Sequence, residues 1–195
     1  LKHAVITSVT RDDLSDGGAG QFAACIEAIH QLDGITVEVL VPDFDGNEAA
    51  LRTVVSAAPE VLGHNLEVVP RLYRQLRSGA RYQRSLDLLA LAKRMAPRIR
   101  IKSSLMLGVG ETEEEVVAVL RDLRGAGCDF VTMGQYLRPS AQHAPVAEYV
   151  SPGQFEHYGD LARSLGFAGV QSGPFVRSSY CAATLLASSI KRGGR

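Results

Sequence analysis

Apolar residues along the chain fall into short runs separated by longer stretches of helical spacing, and this alternation repeats six times. Residues 3–9 (HAVITSV) are rich in β-branched side chains and predict a strand, which ends in TRDDLSDGGAG before an amphipathic run over 21–32. A second strand is expected over 36–42, followed by the loop DFDGN and a helix over 48–58; a third lies near 60–68, where polar residues break the apolar runs. Two helices come next, a short one over 70–76 with proline in its first turn and a longer one over 82–95. Beyond the strand at 101–107 and a helix running to Arg124, the pattern predicts a strand over 130–137, a helix over 152–165 and a short strand over 168–171. A terminal helix is expected over 178–191, with Gly193-Gly194-Arg195 fraying.

The junction after the fourth strand is the most sharply written. A tight turn, Gly108-Val109-Gly110, leads to Thr112 as N-cap with Glu115 three residues on, as in a capping box, and the acids 113–115 suit the positive end of a helix dipole. Strands separated by helices, with no hairpin signal between apolar runs, argue for a parallel sheet with right-handed crossovers. A sheet covered on both faces reads as nearly continuous Val, Ile and Leu. These strands do not, so the expected fold is α/β, a partial parallel (β/α) barrel. By alternation Lys102, Ser104 and Met106 share the inward face, as do Asn65 with Glu67 and Glu38 with Leu40. Such an interior holds a lysine, two glutamates and an asparagine. An ion pair of Lys102 with Glu38 or Glu67 is the structural explanation; ligand binding is favoured, because a buried pair adds little net stability.

Composition narrows the function. Of 195 residues 46% are hydrophobic, and 21 basic residues balance 21 acidic ones, so no overall field draws a nucleic acid. No apolar run reaches the roughly 20 residues of a membrane span, and the cytoplasm is the expected location. Cys25, Cys128 and Cys181 are scattered, and the five histidines lack metal-ligand spacing. The glycine turn has no Walker lysine, and Glu111 adds negative charge where a phosphate cradle needs none.

Taken together, ITSVTRDDLSDGGAGQF, EVLVPDF, HNLEVVPRLY, YQRSLDLL, KSSLMLGVGET, GQYLRPS and SGPFVRSSY resemble the lipoyl synthase family of radical S-adenosylmethionine (SAM) enzymes, over about residues 4–181. The resemblance implies a radical SAM barrel, here without its first strand, over 1–175 and a tail over 176–195 carrying the RSSY motif. It further implies SAM and two 4Fe-4S clusters as cofactors, one cluster cleaving SAM and the other consumed as sulfur source. The reaction implied is insertion of two sulfurs at C6 and C8 of a protein-bound octanoyl-lysine. An octanoylated lipoyl-carrier domain and an electron donor protein are the implied partners.

Residue by residue, Ser104, Met106, Gly108 and Glu111 fall on the positions of the G-x-I-x-G-x-x-E pattern that radical SAM enzymes often carry near the adenine of SAM, with serine and methionine as departures from that generic pattern. Asn65 and Glu67 are similar to groups that hold the ribose and methionyl parts. Lys102 suits the methionyl carboxylate; Arg11, Asp12 and Asp13 stand where relatives hold the methionyl amine. Gln135, Tyr136 and Leu137 resemble the other adenine wall. In the closing RSSY a serine is implied as a catalytic iron ligand of the second cluster, Ser178 ahead of Ser179; helix capping is the structural alternative. Cys181 stands where the family commonly has histidine. The C-x3-C-x2-C triplet and the second cysteine triplet of the family lie before the strand that opens this chain, and none of the six is present. A piece of a larger enzyme is therefore expected rather than a remnant. Two other classes stay open at this point: a cluster-free protein binding SAM, a nucleoside or an acyl-lysine, and a lyase using Lys102 as a Schiff-base amine.

Overall fold

The computed structural model describes residues 1–193, with side chains through residue 187; Gly194 and Arg195, where fraying is expected, lie outside the described residues. Six strands form one sheet: β1 (His3–Thr7), β2 (Thr36–Leu40), β3 (Val61–Gly63), β4 (Arg100–Leu107), β5 (Phe130–Gln135) and β6 (Gly169–Ser172). They pair in chain order and all are parallel. Helices α1 (Ala19–His30), α2 (Glu48–Ser56), α3 (Tyr73–Leu76), α4 (Tyr82–Met95), α5 (Glu113–Gly125) and α6 (Pro152–Ser164) lie between the strands in sequence. The architecture is a partial (β/α) barrel.

The pairing register sorts each strand into two faces. Ile101 and Leu105 of β4, Val131 and Met133 of β5, and Leu62 of β3 face outward, where they pack with Leu89, Val116, Leu120 and Phe155 of the surrounding helices in one core. The opposite face carries Glu38, Lys102, Ser104, Phe130 and Thr132. At its lower end α7 (Ala182–Gly193) closes the floor: Leu186 packs with Val61 and Phe130, and Gly169 is needed because a β-carbon there would meet Leu185 at 2.8 Å.

Three local expectations are corrected. The third strand does not run over 60–68: it leaves the sheet after Gly63 and rejoins it only at Glu67, which bridges Leu105. Glu67 has φ 65, and the Val68 amide donates to the Leu66 carbonyl at 2.8 Å, so the backbone makes a γ-turn in the left-handed region. The terminal helix starts at Ala182 rather than at 178, because Cys181 takes φ 48 and breaks the helical run. The fifth strand stops at Gln135, where the chain turns away to form a long irregular segment before α6.

Candidate cofactor cleft

Above the floor, the carboxyl ends of β3, β4 and β5 open into a cleft of about 630 Å³. Parallel α/β sheets bind ligands at this edge, and the volume lies within the roughly 300–1,000 Å³ usual for small-molecule sites. Asn65 and Glu67 line it from beyond β3, Ser104 and Met106 from β4, Gln135, Tyr136 and Leu137 from the end of β5, and Ser178 from the tail. These eight predicted residues therefore share one cavity.

The polar end of the cleft is organised around Glu67. Its carboxylate accepts a hydrogen bond from Asn65 Nδ2 at 2.9 Å and has no basic partner within ion-pair distance among the described residues. Burial pushes its pKa above the ordinary carboxylate value, a rise that Asn65 and the charge of Arg77 offset only in part. Arg77 holds the loop from beneath, donating to the carbonyls of Asn65 and Leu66 at 3.1 Å. A strained backbone and an unpaired carboxylate in one turn are costly for a fold and useful for a ligand site.

The remaining predicted residues lie elsewhere. Lys102 is 2% exposed and donates to Glu38 at 2.7 Å, with His3 at 3.7 Å from the other carboxylate oxygen; it stands below the cleft and does not line it. The ion pair considered from the sequence is thus present, and in this arrangement the lysine is neither a free amine nor open to a ligand carboxylate. Gly108 and Glu111 form the turn behind the cleft, the Glu111 carboxylate accepting from the Gly108 and Val109 amides at 2.6 and 3.0 Å. Arg11 and Asp12 line a second, more polar cavity of about 1070 Å³ beside the first, and Asp13 pairs with Arg11 at 2.6 Å. Ser179 is exposed in the turn before α7. Neither serine hydroxyl caps that helix among the described residues; its first turn is closed by backbone bonds to the Cys181 carbonyl.

Several cleft residues escape the sequence reading. His143 and Gln142 come from the segment after β5, Gln75 from α3, and Arg177 from the tail. Gly134 carried a signal, since glycine inside a strand marks a bulge or a close backbone approach. The approach is real: a β-carbon on Gly134 would lie 2.0 Å from the Val176 carbonyl oxygen.

Residues 1–123 match the family model of the radical SAM superfamily. The chain belongs to the radical SAM superfamily. Among its relatives in that superfamily, the lipoyl synthase of Caldanaerobacter subterraneus subsp. tengcongensis is 59% identical over 180 residues, 92% of this chain and 63% of that protein. The lipoyl synthase of Caldicellulosiruptor saccharolyticus is 60% identical over 183 residues, 93% of this chain and 64% of that protein. The chain thus spans under two thirds of the length of these curated relatives. The crystal structure of methylornithine synthase (PylB) shares the fold, with a TM-score of 0.64 over 98% of this chain and 67% of that one at 14% identity.

The cleft fits the SAM that a radical SAM chain implies. It joins a carboxylate–amide pair and the Ser104 hydroxyl, suited to a ribose diol or an amino group, with the apolar surfaces of Met106, Val109 and Leu137, suited to a purine face. The buried Thr132 hydroxyl faces the same interior layer as Ser104 and has no hydrogen-bond partner among the described residues. An iron–sulfur cluster does not fit the thiols at hand. Cys25 sits on α1, Cys128 is buried before β5 with its thiol pKa pushed up by burial, and Cys181 is exposed before α7. No group of three His, Cys, Asp or Glu among the described residues is placed to hold a metal ion.

Proposed function

We propose that this chain is the SAM-binding barrel and serine-bearing tail of a lipoyl synthase, which inserts two sulfur atoms at C6 and C8 of a protein-bound octanoyl-lysine. The observation that carries this reading is a single one: Asn65, Glu67 and Ser104 and the RSSY residue Ser178 line the same cleft. Relatives at 59–60% identity bear the lipoyl synthase name, which supports the choice of reaction.

SAM, when bound, supplies the 5′-deoxyadenosyl radical chemistry that breaks unactivated C–H bonds. The chain's own residues bind and orient. Glu67 and Asn65 take the polar part of the cofactor, while Met106 and the backbone at Tyr136 and Leu137 take its adenine. The segment after β5 limits access of water, which otherwise quenches reactive intermediates. Leu137, which lines the cleft and is 52% exposed, gives its mouth an apolar surface suited to an octanoyl chain. Ser178 offers its oxygen to an iron of a sulfur-donating cluster; a hard alkoxide is an apt ligand for iron that must be given up. Both clusters are held by cysteines other than the three of this chain. The partners are an octanoylated lipoyl-carrier domain and an electron donor protein, in the cytoplasm.

The test compares Ser178→Ala and Ser179→Ala in the cluster-loaded enzyme that contains this chain, counting 5′-deoxyadenosine against lipoyl product. Ser178→Ala is expected to spare SAM cleavage and to abolish most sulfur insertion, with Ser179→Ala closer to wild type. Parallel loss of both products in each variant, tracking stability, rejects the ligand role.

A further inference from the structure

The cleft has two walls that come from segments far apart in sequence, and both rest on the last two residues of β5. One wall is the strap over 136–150, irregular along its whole length, which contributes Pro139, Gln142 and His143. The other is the tail, which contributes Val176, Arg177 and Ser178.

By the register of β5, Gln135 falls on the same strand face as Val131 and Met133, at the strand end where it also borders the cleft. The residue is 6% exposed, and its side chain is spent on backbone groups. Oε1 accepts from the Val150 amide at 2.9 Å, and Nε2 donates to the carbonyls of Glu148 and Tyr136, both at 3.0 Å. The strap is gripped from the other side by Gly108, whose carbonyl accepts from the Ala147 and Glu148 amides at 2.9 and 3.2 Å. Gly108 has φ 95, and a β-carbon there would lie 2.3 Å from Gln135 Nε2, so this clamp tolerates no side chain. Tyr136 adds a third fixing point, its hydroxyl donating to the Ala144 carbonyl at 2.9 Å. The tail is seated on the preceding residue: the missing β-carbon of Gly134 is the space into which the Val176 carbonyl fits, and Arg177 Nη1 reaches the Gln135 carbonyl at 3.4 Å.

We propose that Gly134 and Gln135 are positioning residues of the cleft. Gln135 pins the strap and Gly134 admits the tail, so one strand end sets both walls. The function reading supplies only the identity of that ligand as SAM.

The test uses the complete enzyme and two readouts, amide hydrogen exchange and SAM affinity by equilibrium dialysis. Gln135→Met keeps the shape and removes all three bonds; exchange over 139–150 is expected to rise at least tenfold and SAM affinity to fall several-fold, with exchange in β4 and α5 unchanged. Gln135→Glu provides a conditional rescue. When protonated, its carboxyl again accepts from Val150 and donates to a carbonyl, so its loosening shrinks as pH falls towards the carboxylic range, while that of Gln135→Met does not. Gly134→Ala is expected to raise exchange over 173–181 and leave the strap protected. Unchanged strap exchange in Gln135→Met, a rise spread over the whole sheet, or loosening with wild-type affinity each overturns the proposal. Failure of the wild-type enzyme to take up SAM, with the strap still responding to Gln135→Met, instead defeats the SAM reading and leaves the anchoring intact.

Discussion

Glu38 and Glu67 are two carboxylates in one barrel interior, and they live differently. Glu38 is closed: Lys102 reaches it at 2.7 Å, His3 stands at 3.7 Å, and the floor beneath is sealed by Leu186 and Phe130. Glu67 has only the Asn65 amide, a strained backbone and an open cleft in front of it. On β4, Lys102 and Ser104 are two residues apart on the same face, yet one belongs to the fold and the other to the site. Polarity alone does not mark function inside a barrel; an unmatched polar group does.

The largest expected effect comes from unbalancing the closed pair. Lys102→Met leaves Glu38 buried without its partner and is expected to cost about 3–5 kcal/mol in urea unfolding, whereas adding Glu38→Leu restores most of that loss. A folded Lys102→Met protein of wild-type stability erases the contrast between the two carboxylates.

Next is the open carboxylate. Its folded pKa is raised, so the stability linked to it is fully present below the ordinary value of 4.5 and declines as pH rises through the folded value. Glu67→Gln is therefore expected to be more stable than wild type at neutral pH and to lose this pH dependence. Lower stability of Glu67→Gln at pH 7 makes Glu67 a structural residue like Glu38.

His64 sharpens the comparison from outside the barrel pair. Buried between the Val41 carbonyl and Ser85, it has a pKa lowered mainly by burial. The unfolded chain then takes the proton first, so this contribution is intact above about pH 6.5 and is lost as pH falls toward the folded value, by at most about 1.4 kcal/mol per pH unit. The lowered carboxylates Glu113 and Glu115 act only below their ordinary 4.5. His64→Gln should flatten the upper window alone, in unfolding curves taken at intervals of half a pH unit.

The smallest effects separate capping from ligation. Thr112→Ala breaks a complete capping box and is expected to cost about 1 kcal/mol. Ser178→Ala breaks no helix cap and is expected to stay within about 0.5 kcal/mol of wild type. Comparable losses at both positions return Ser178 to a structural role.

Much of this was legible because it is local. The capping box of Thr112 and Glu115 follows from four adjacent residues, and the six strands follow from runs of apolar side chains between helices. The pairing of Asn65 with Glu67 was anticipated from alternation along a strand, but it arises from the γ-turn at Glu67, which no residue type announces. The tail helix begins later than composition suggests, because Cys181 takes a left-handed backbone that no residue type there announces. The hold of Gln135 on Glu148 and Val150 joins residues whose distance in sequence hides their contact. Likewise, alternation placed Lys102 and Ser104 on one face correctly, yet their separation into floor and cleft depends on depth along the strand.

The central claim, that the open polar end of the barrel binds SAM and the closed pair below it does not, is tested most directly by calorimetric titration of SAM into three proteins. Wild type and the double variant Lys102→Met/Glu38→Leu are expected to bind with similar affinity. Glu67→Gln is expected to bind about tenfold more weakly, matching the loss of one hydrogen bond to a charged group. Wild-type affinity in Glu67→Gln together with loss of binding in the double variant would contradict the account.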